Sequence, residues 1–282
     1  IFYVTILPYK GSIVTQNINL ELRLLLTLEE KGLSVFTIDD AKDILKTPDS
    51  SIWHVLNGLV HKKRIRRIER SRYLLIPAKA GVEGYWSEYP WVIVPHLIDV
   101  YYVGFWTAMN YWDMTEQIPY TVFVATRKRK RNLKFGYQKF EFVTLSKKKF
   151  FGFVKEKANN KEFFNISSKE KTIVDGLMHP EYCGGIVEVT KAMWNVRNEV
   201  NWQTVLEMSE KVEINVVLKR LGYLLSLHKI EKNISEKIKE KIKKKPYHYL
   251  DPTTNKEKIE ISKDFGLIIN RTKNELLGWM DY

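Results

Sequence analysis

Between Leu20 and Pro77 the spacing of apolar residues switches from one every three or four positions to one every two, and that switch limits the folds open to this segment. Leu20, Leu24, Leu25 and Leu28 recur at helical spacing and Gly32 follows as a stop, which predicts a first helix over Leu20–Lys31. Thr37 then precedes Ile38-Asp39-Asp40, a cap and an acidic first turn that suit a helix N-terminus, so a short second helix runs to Leu45. Lys46-Thr47-Pro48 breaks it, with Asp49 or Ser50 as the next cap. A third helix follows over Ser50–Lys62 with Ile52, Leu56, Leu59 and Val60 facing inward. Arg64–Ile68 and Arg72–Ile76 read as two strands joined by Glu69-Arg70-Ser71 and ended by Pro77. Three helices and a basic hairpin, in this order and at these lengths, predict a winged helix-turn-helix, whose third helix enters the major groove of DNA.

The remaining residues predict a larger mixed α/β domain, giving an α+β chain divided into 1–80 and 81–282, with Gly81 and Gly84 at the boundary. The aromatic block Tyr85–Trp112 contains helices, one around Thr107–Trp112. Tyr120–Thr126, Phe140–Leu145 and Phe150–Val154 are β-branched and aromatic, hence strands. A capped helix over Ser168–Met178 and the Pro180–Gly185 turn open a helical portion: Val187–Asn198, Trp202–Ser209, Ile214–Leu227 and a lysine-rich Ser235–Lys245 stopped by Pro246. Gly266–Asn270 is strand-like, and no solenoid repeat is present.

A formal net charge of +13 over 282 residues favours a polyanionic partner, nucleic acid or an acidic membrane surface. The single cysteine, Cys183, excludes an intrachain disulfide framework and a thiolate-rich zinc site, which suits the reducing cytoplasm. Trp91–Trp106 is the most apolar stretch, but Pro95, His96 and Asp99 interrupt it, so it reads as buried core and not as a membrane span. Ile1–Val14 lacks the layout of a signal peptide.

On the third helix the outward positions are Ser50, Ser51, Trp53, His54, Asn57 and His61. Asn57 suits bidentate pairing with adenine, and His54 and the serines suit bases or phosphates. Trp53 equally suits packing against the hairpin, and Ser50 equally suits a cap. Lys62, Lys63, Arg64, Arg66, Arg67, Arg70 and Arg72 concentrate positive charge beside that helix, as phosphate contact requires, or else protect an exposed edge strand. Strand alternation sets Arg64 and Arg66 opposite Ile65. A second basic run, Arg127-Lys128-Arg129-Lys130-Arg131, falls in a loop that is either a further polyanion contact or a solvated turn.

Enzyme signatures are missing. The six histidines are scattered and show no His-Glu-x-x-His spacing, and no Walker loop or Gly-x-Ser-x-Gly elbow occurs. The Glu29–Lys31 pair that a nuclease would want on a strand lies in the first helix. Cys183 near His179 has no third orienting group and reads as structural. The sequence therefore predicts no catalytic residues, no metal and no cofactor.

Arg72-Tyr73-Leu74-Leu75-Ile76-Pro77, Gly104–Trp112, Thr115-Glu116-Gln117-Ile118-Pro119, Thr121–Thr126, Lys169–Leu177 and Pro180-Glu181-Tyr182-Cys183-Gly184-Gly185 together resemble the AbiEi family, the antitoxins of abortive-infection type IV toxin-antitoxin systems. The resemblance covers Leu20–Leu227. It departs at Ser71-Arg72, where related wings carry a glycine. The resemblance implies a phage-defence transcriptional autorepressor that binds inverted repeats in its own promoter, as monomer or dimer, and counteracts a nucleotidyltransferase-like toxin without necessarily forming a stable complex. For Thr115, Glu116 and Gln117 it leaves a turn role or a binding surface open. Two competing readings stand beside it: a ligand-sensing winged-helix regulator with no toxin partner, and a metal-dependent nuclease.

Overall fold

Thr37 anchors the first unit by a reciprocal cap: its hydroxyl accepts from the Asp40 N–H, and the Asp40 carboxylate accepts from the Thr37 N–H at 2.7 Å. The computed structural model describes residues 19–81, 83, 90–158, 162–254 and 257–281. Ile1–Val14, Gly84, Tyr85 and Trp86 lie outside them. The chain divides into two compact units between Ser87 and Glu88, and its architecture is mixed α+β.

In the first unit α1 (Leu20–Lys31), α2 (Ile38–Leu45) and α3 (Asp49–His61) pack with β1 (Val35–Thr37), β2 (Ile65–Glu69) and β3 (Arg72–Leu75), which form an antiparallel sheet in the order β1-β3-β2. Leu24 and Leu28 of α1, Ala41 and Leu45 of α2, and Ile52, Leu56 and Leu59 of α3 close on Phe36 and Tyr73, whose rings stack at 5.7 Å. Two details of α3 differ from the sequence reading. Its cap is Pro48, with no side-chain hydrogen bond, so neither Asp49 nor Ser50 caps it; Asp49 instead pairs with Lys42 at 3.1 Å. Val60 is 40% exposed and Val55 takes the inward place, because the buried stripe follows 52, 55, 56 and 59. β1 escapes sequence analysis, since three residues are too few to show alternation.

The β2–β3 turn places Ser71 at φ 64°, the left-handed region that costs an L side chain about 1 kcal/mol. Ser71→Gly is therefore expected to stabilise the first unit by about 0.5–1 kcal/mol, seen as a raised urea midpoint at unchanged m-value. A lowered midpoint would mean that the serine side chain holds the turn.

The second unit is built on a six-stranded mixed sheet, β4 (Tyr101–Val103), β5 (Thr121–Thr126), β6 (Leu133–Phe135), β7 (Gln138–Thr144), β8 (Phe153–Lys157) and β9 (Phe163–Ser167), in the order β6-β7-β5-β4-β9-β8. The β5–β7 and β4–β9 pairs are parallel. Strand β8 begins at Phe153, not Phe150: Phe150 and Phe151 turn toward the core before the strand starts. The helices are α4 (Pro90–Leu97), α5 (Phe105–Tyr111), α6 (Lys169–Met178), α7 (Ile186–Asn195), α8 (Trp202–Lys211), α9 (Asn215–His228), α10 (Lys232–Lys241) and α11 (Lys273–Leu277). Helix α7 stops at Asn195, short of Asn198, and α10 ends at Lys241 with Ile242 as its cap, four residues before Pro246. A small sheet, β10 (His248–Tyr249), β11 (Glu260–Ser262) and β12 (Leu267–Ile269), completes the chain in the order β10-β12-β11.

Helix α6 is the axis of this unit: every residue from Lys171 to Met178 is buried, against Phe105 and Met109 of α5 and Val189 and Met193 of α7. Trp91–Trp106 is confirmed as largely interior, with Val92, Ile93 and Val94 in the core. No helix among the described residues is long and apolar enough to cross a membrane.

Candidate functional site

Ser50, Trp53, His54, Asn57 and His61 are all exposed and fall at one-turn intervals along the outer face of α3; Ser51 beside them is half-buried. Trp53, 44% exposed, is open to solvent and not sealed under the hairpin. The face is thus a continuous strip of hydrogen-bonding side chains held by the apolar stripe on the opposite side of the same helix.

The seven basic residues after it differ in their contacts, and Arg67 among them donates its Nε–H to the Glu69 carbonyl at 3.4 Å. Lys62 pairs with Glu21 at 2.5 Å, Lys63 with Glu83 at 3.4 Å and Arg72 with Glu69, while Arg64 donates to the Gly81 carbonyl at 2.9 Å. Arg66, Arg67 and Arg70 are exposed. Strict alternation would hide one of Arg66 and Arg67. The register shift between Arg67 and Glu69 lets Ile65 and Ile68 both point inward, so both intervening arginines reach solvent. The paired lysines remain usable, because exposed ion pairs are worth only about 0–1 kcal/mol.

In the second unit Arg127, Lys128, Arg129 and Arg131 are exposed on the loop from β5 to β6. Lys130 folds back to lie 5.5 Å from the Phe142 ring, and Asn132 accepts the Phe142 N–H at 3.1 Å, so the loop runs beside β7. Thr126 fixes its start through bonds to Lys128.

Two polar features of this unit escaped sequence analysis. Lys171 and Asp175, one turn apart on α6 and both fully buried, form an ion pair; Tyr102 donates to Asp175 at 2.9 Å and accepts from Lys171 at 3.1 Å. Burial, then the Asp175 charge, pushes the Tyr102 phenol well above its ordinary range. The available signal was a Lys-x-x-x-Asp spacing, one helical turn, on a helix whose following residues Ile173, Val174, Leu177 and Met178 are apolar. The second feature is a cavity of about 430 Å³ walled by Thr115, Glu116 and Gln117 on one side and α7 on the other. Thr115 acts as a turn residue, its hydroxyl accepting from the Gln117 N–H, and the same hydroxyl donates to Glu188 in the cavity wall.

The Pro180–Gly185 segment is a tight turn over buried charge. Gly184 and Gly185 sit at φ 75° and 89°, and a Cβ on Gly184 would meet the Trp106 ring at 3.0 Å. Burial raises the Glu181 carboxyl, but the His179 hydrogen bond at 2.9 Å and the Arg220 charge outweigh it and leave it low. Arg220 donates to the carbonyls of Leu177, Tyr249 and Leu250, and burial brings it down to about 10. Cys183 is buried and its thiol is pushed well up, the opposite of what a nucleophile needs. Among the described residues, no three His, Cys, Asp or Glu side chains converge to hold a metal.

No protein-family model matches this chain, and no curated protein matches it in sequence. It is similar in structure to the RV2827C protein from Mycobacterium tuberculosis, with a TM-score of 0.67 at 12% identity over 93% of this chain and 95% of that one. At that identity the likeness is one of fold alone.

Proposed function

We propose that residues 20–76 are a winged helix-turn-helix and that the chain is a cytoplasmic DNA-binding autorepressor, acting as the antitoxin of a type IV toxin-antitoxin system. The observation that carries the DNA reading is the juxtaposition of the open polar face of α3 with the bulged hairpin that turns Arg66 and Arg67 outward together. A helix in the major groove needs hydrogen-bonding side chains on its outer face, and the hairpin beside it needs cations at phosphate distance. The antitoxin reading rests on the AbiEi-like segments, with a nucleotidyltransferase-like toxin as the functional partner and inverted repeats in its own promoter as the DNA.

Footprinting on the duplex upstream of the chain's own coding sequence tests the first part, and a protected palindrome is expected. Absence of protection there rejects autoregulation. Within the palindrome Asn57→Ala is expected to weaken specific binding by about 1–3 kcal/mol and leave binding to scrambled duplex unchanged, as the loss of one base contact requires. Equal losses on both duplexes would move Asn57 from base reading to backbone contact. Co-expression with the product of an adjacent nucleotidyltransferase-type reading frame tests the second part: rescue of growth is expected, and continued arrest rejects the antitoxin role.

A further inference from the structure

The cavity beside α7 has the chemistry of a zwitterion site. Glu188 and Lys191 lie one turn apart on the same helix and both line it. Opposite charges at that spacing are within reach of each other and ordinarily pair. Here they do not: Glu188 Oε1 takes the Thr115 hydroxyl, and Lys191 has no ion pair or hydrogen bond among the described residues. Glu188 is only 7% exposed, so its carboxylate is held at the cavity wall with one oxygen occupied by Thr115. A buried carboxylate and an ammonium with no ion pair line one half-open cavity, where partial exclusion of water makes each worth more to a ligand than on an open surface.

The apolar part of the wall is equally fixed. Arg197 stacks 4.0 Å from the Trp194 ring, and His228 packs against both Trp194 and Trp279 at 5.4 and 6.1 Å. Burial holds His228 below its ordinary range, so it is neutral near pH 7 and adds no charge beneath the indoles. Trp194, Trp279 and Met280 then offer an apolar surface next to the charged pair. Glu116, at the exposed rim, adds negative charge on the Glu188 side.

We propose that this cavity binds a free α-amino acid with an apolar or aromatic side chain, its ammonium on Glu188, its carboxylate on Lys191 and its side chain against Trp194 and Trp279. The volume of about 430 Å³ suits a ligand of that size. The site lies wholly in the second unit and rests on nothing assigned to α3, so its fate is independent of the DNA reading.

Isothermal titration calorimetry of the full chain with L-phenylalanine and L-leucine tests it, with phenethylamine and 3-phenylpropionate as partners that each lack one charge. At least one amino acid is expected to bind, and each single-charge analogue to bind about tenfold or more weakly than phenylalanine if phenylalanine is that ligand. Lys191→Met is expected to remove the amino acid's advantage over the amine, and the isosteric Glu188→Gln to weaken both. Absence of heat and of any shift in melting temperature with either amino acid at about 10 mM overturns the proposal. So does amino-acid binding that both variants leave unchanged.

Discussion

Lys171→Ala is expected to destabilise the second unit by about 3–5 kcal/mol, because it strands the Asp175 carboxylate in a site with no access to water. The lysine stem is sealed on the loop side: a Cβ on Gly152 would lie 3.1 Å from the Lys171 Cβ, and the Phe151 ring stands 5.1 Å from its ammonium. Water cannot replace the ammonium without opening that loop. In a unit of this size the loss corresponds to about 10 °C or more in melting temperature. The informative comparison is the apolar triple Lys171→Met, Asp175→Leu and Tyr102→Phe, which removes both charges and the hydroxyl between them. Replacement of a whole buried ion network is often neutral or stabilising, so the triple is expected to recover most of the stability lost by the single change. If the triple unfolds as readily as Lys171→Ala, the network supplies net stability and its role is larger than mutual neutralisation. Far-UV circular dichroism with urea titration separates the two outcomes.

That network shows where sequence reasoning stops. The three helices and the hairpin of the first unit were legible because each is signalled locally, α2 by the Thr37 cap, the end of α1 by Gly32 after Lys31 and the hairpin by a change of period, whereas the three-residue β1 was not. Val60 was misassigned because a helix of thirteen residues admits two neighbouring apolar stripes, and only packing against α1 and α2 chooses Val55. In the second unit the helices from α5 to α10 were found, α11 was missed, and the sheet was only partly found. Strands β4 and β9 are central, short and parallel to each other, so neither alternation nor a turn marks them. Their pairing brings Tyr102 onto α6, a contact 73 residues apart in sequence that no local pattern encodes. The cavity was invisible for the same reason: Thr115 and Glu188 belong to segments the sequence marked separately, and only the fold joins them.

Arg66→Ala with Arg67→Ala is expected to give the largest change in DNA binding of any surface substitution in the first unit. Both side chains leave the hairpin on the solvent side because the bulge before Glu69 breaks alternation, so they are held outward without covering any core. The double change should therefore leave folding intact, and the urea midpoint should move by no more than about 0.5 kcal/mol. If each arginine meets one phosphate, the slope of log affinity against log salt flattens by about 0.9 per contact, or close to 2 in all, on duplexes of any sequence. That uniform loss distinguishes backbone contact from the sequence-dependent loss expected for Asn57. An unchanged slope in the double variant would remove the hairpin from the interface, and DNA contact would then have to rest on α3 alone, without the cations that give such modules most of their nonspecific affinity.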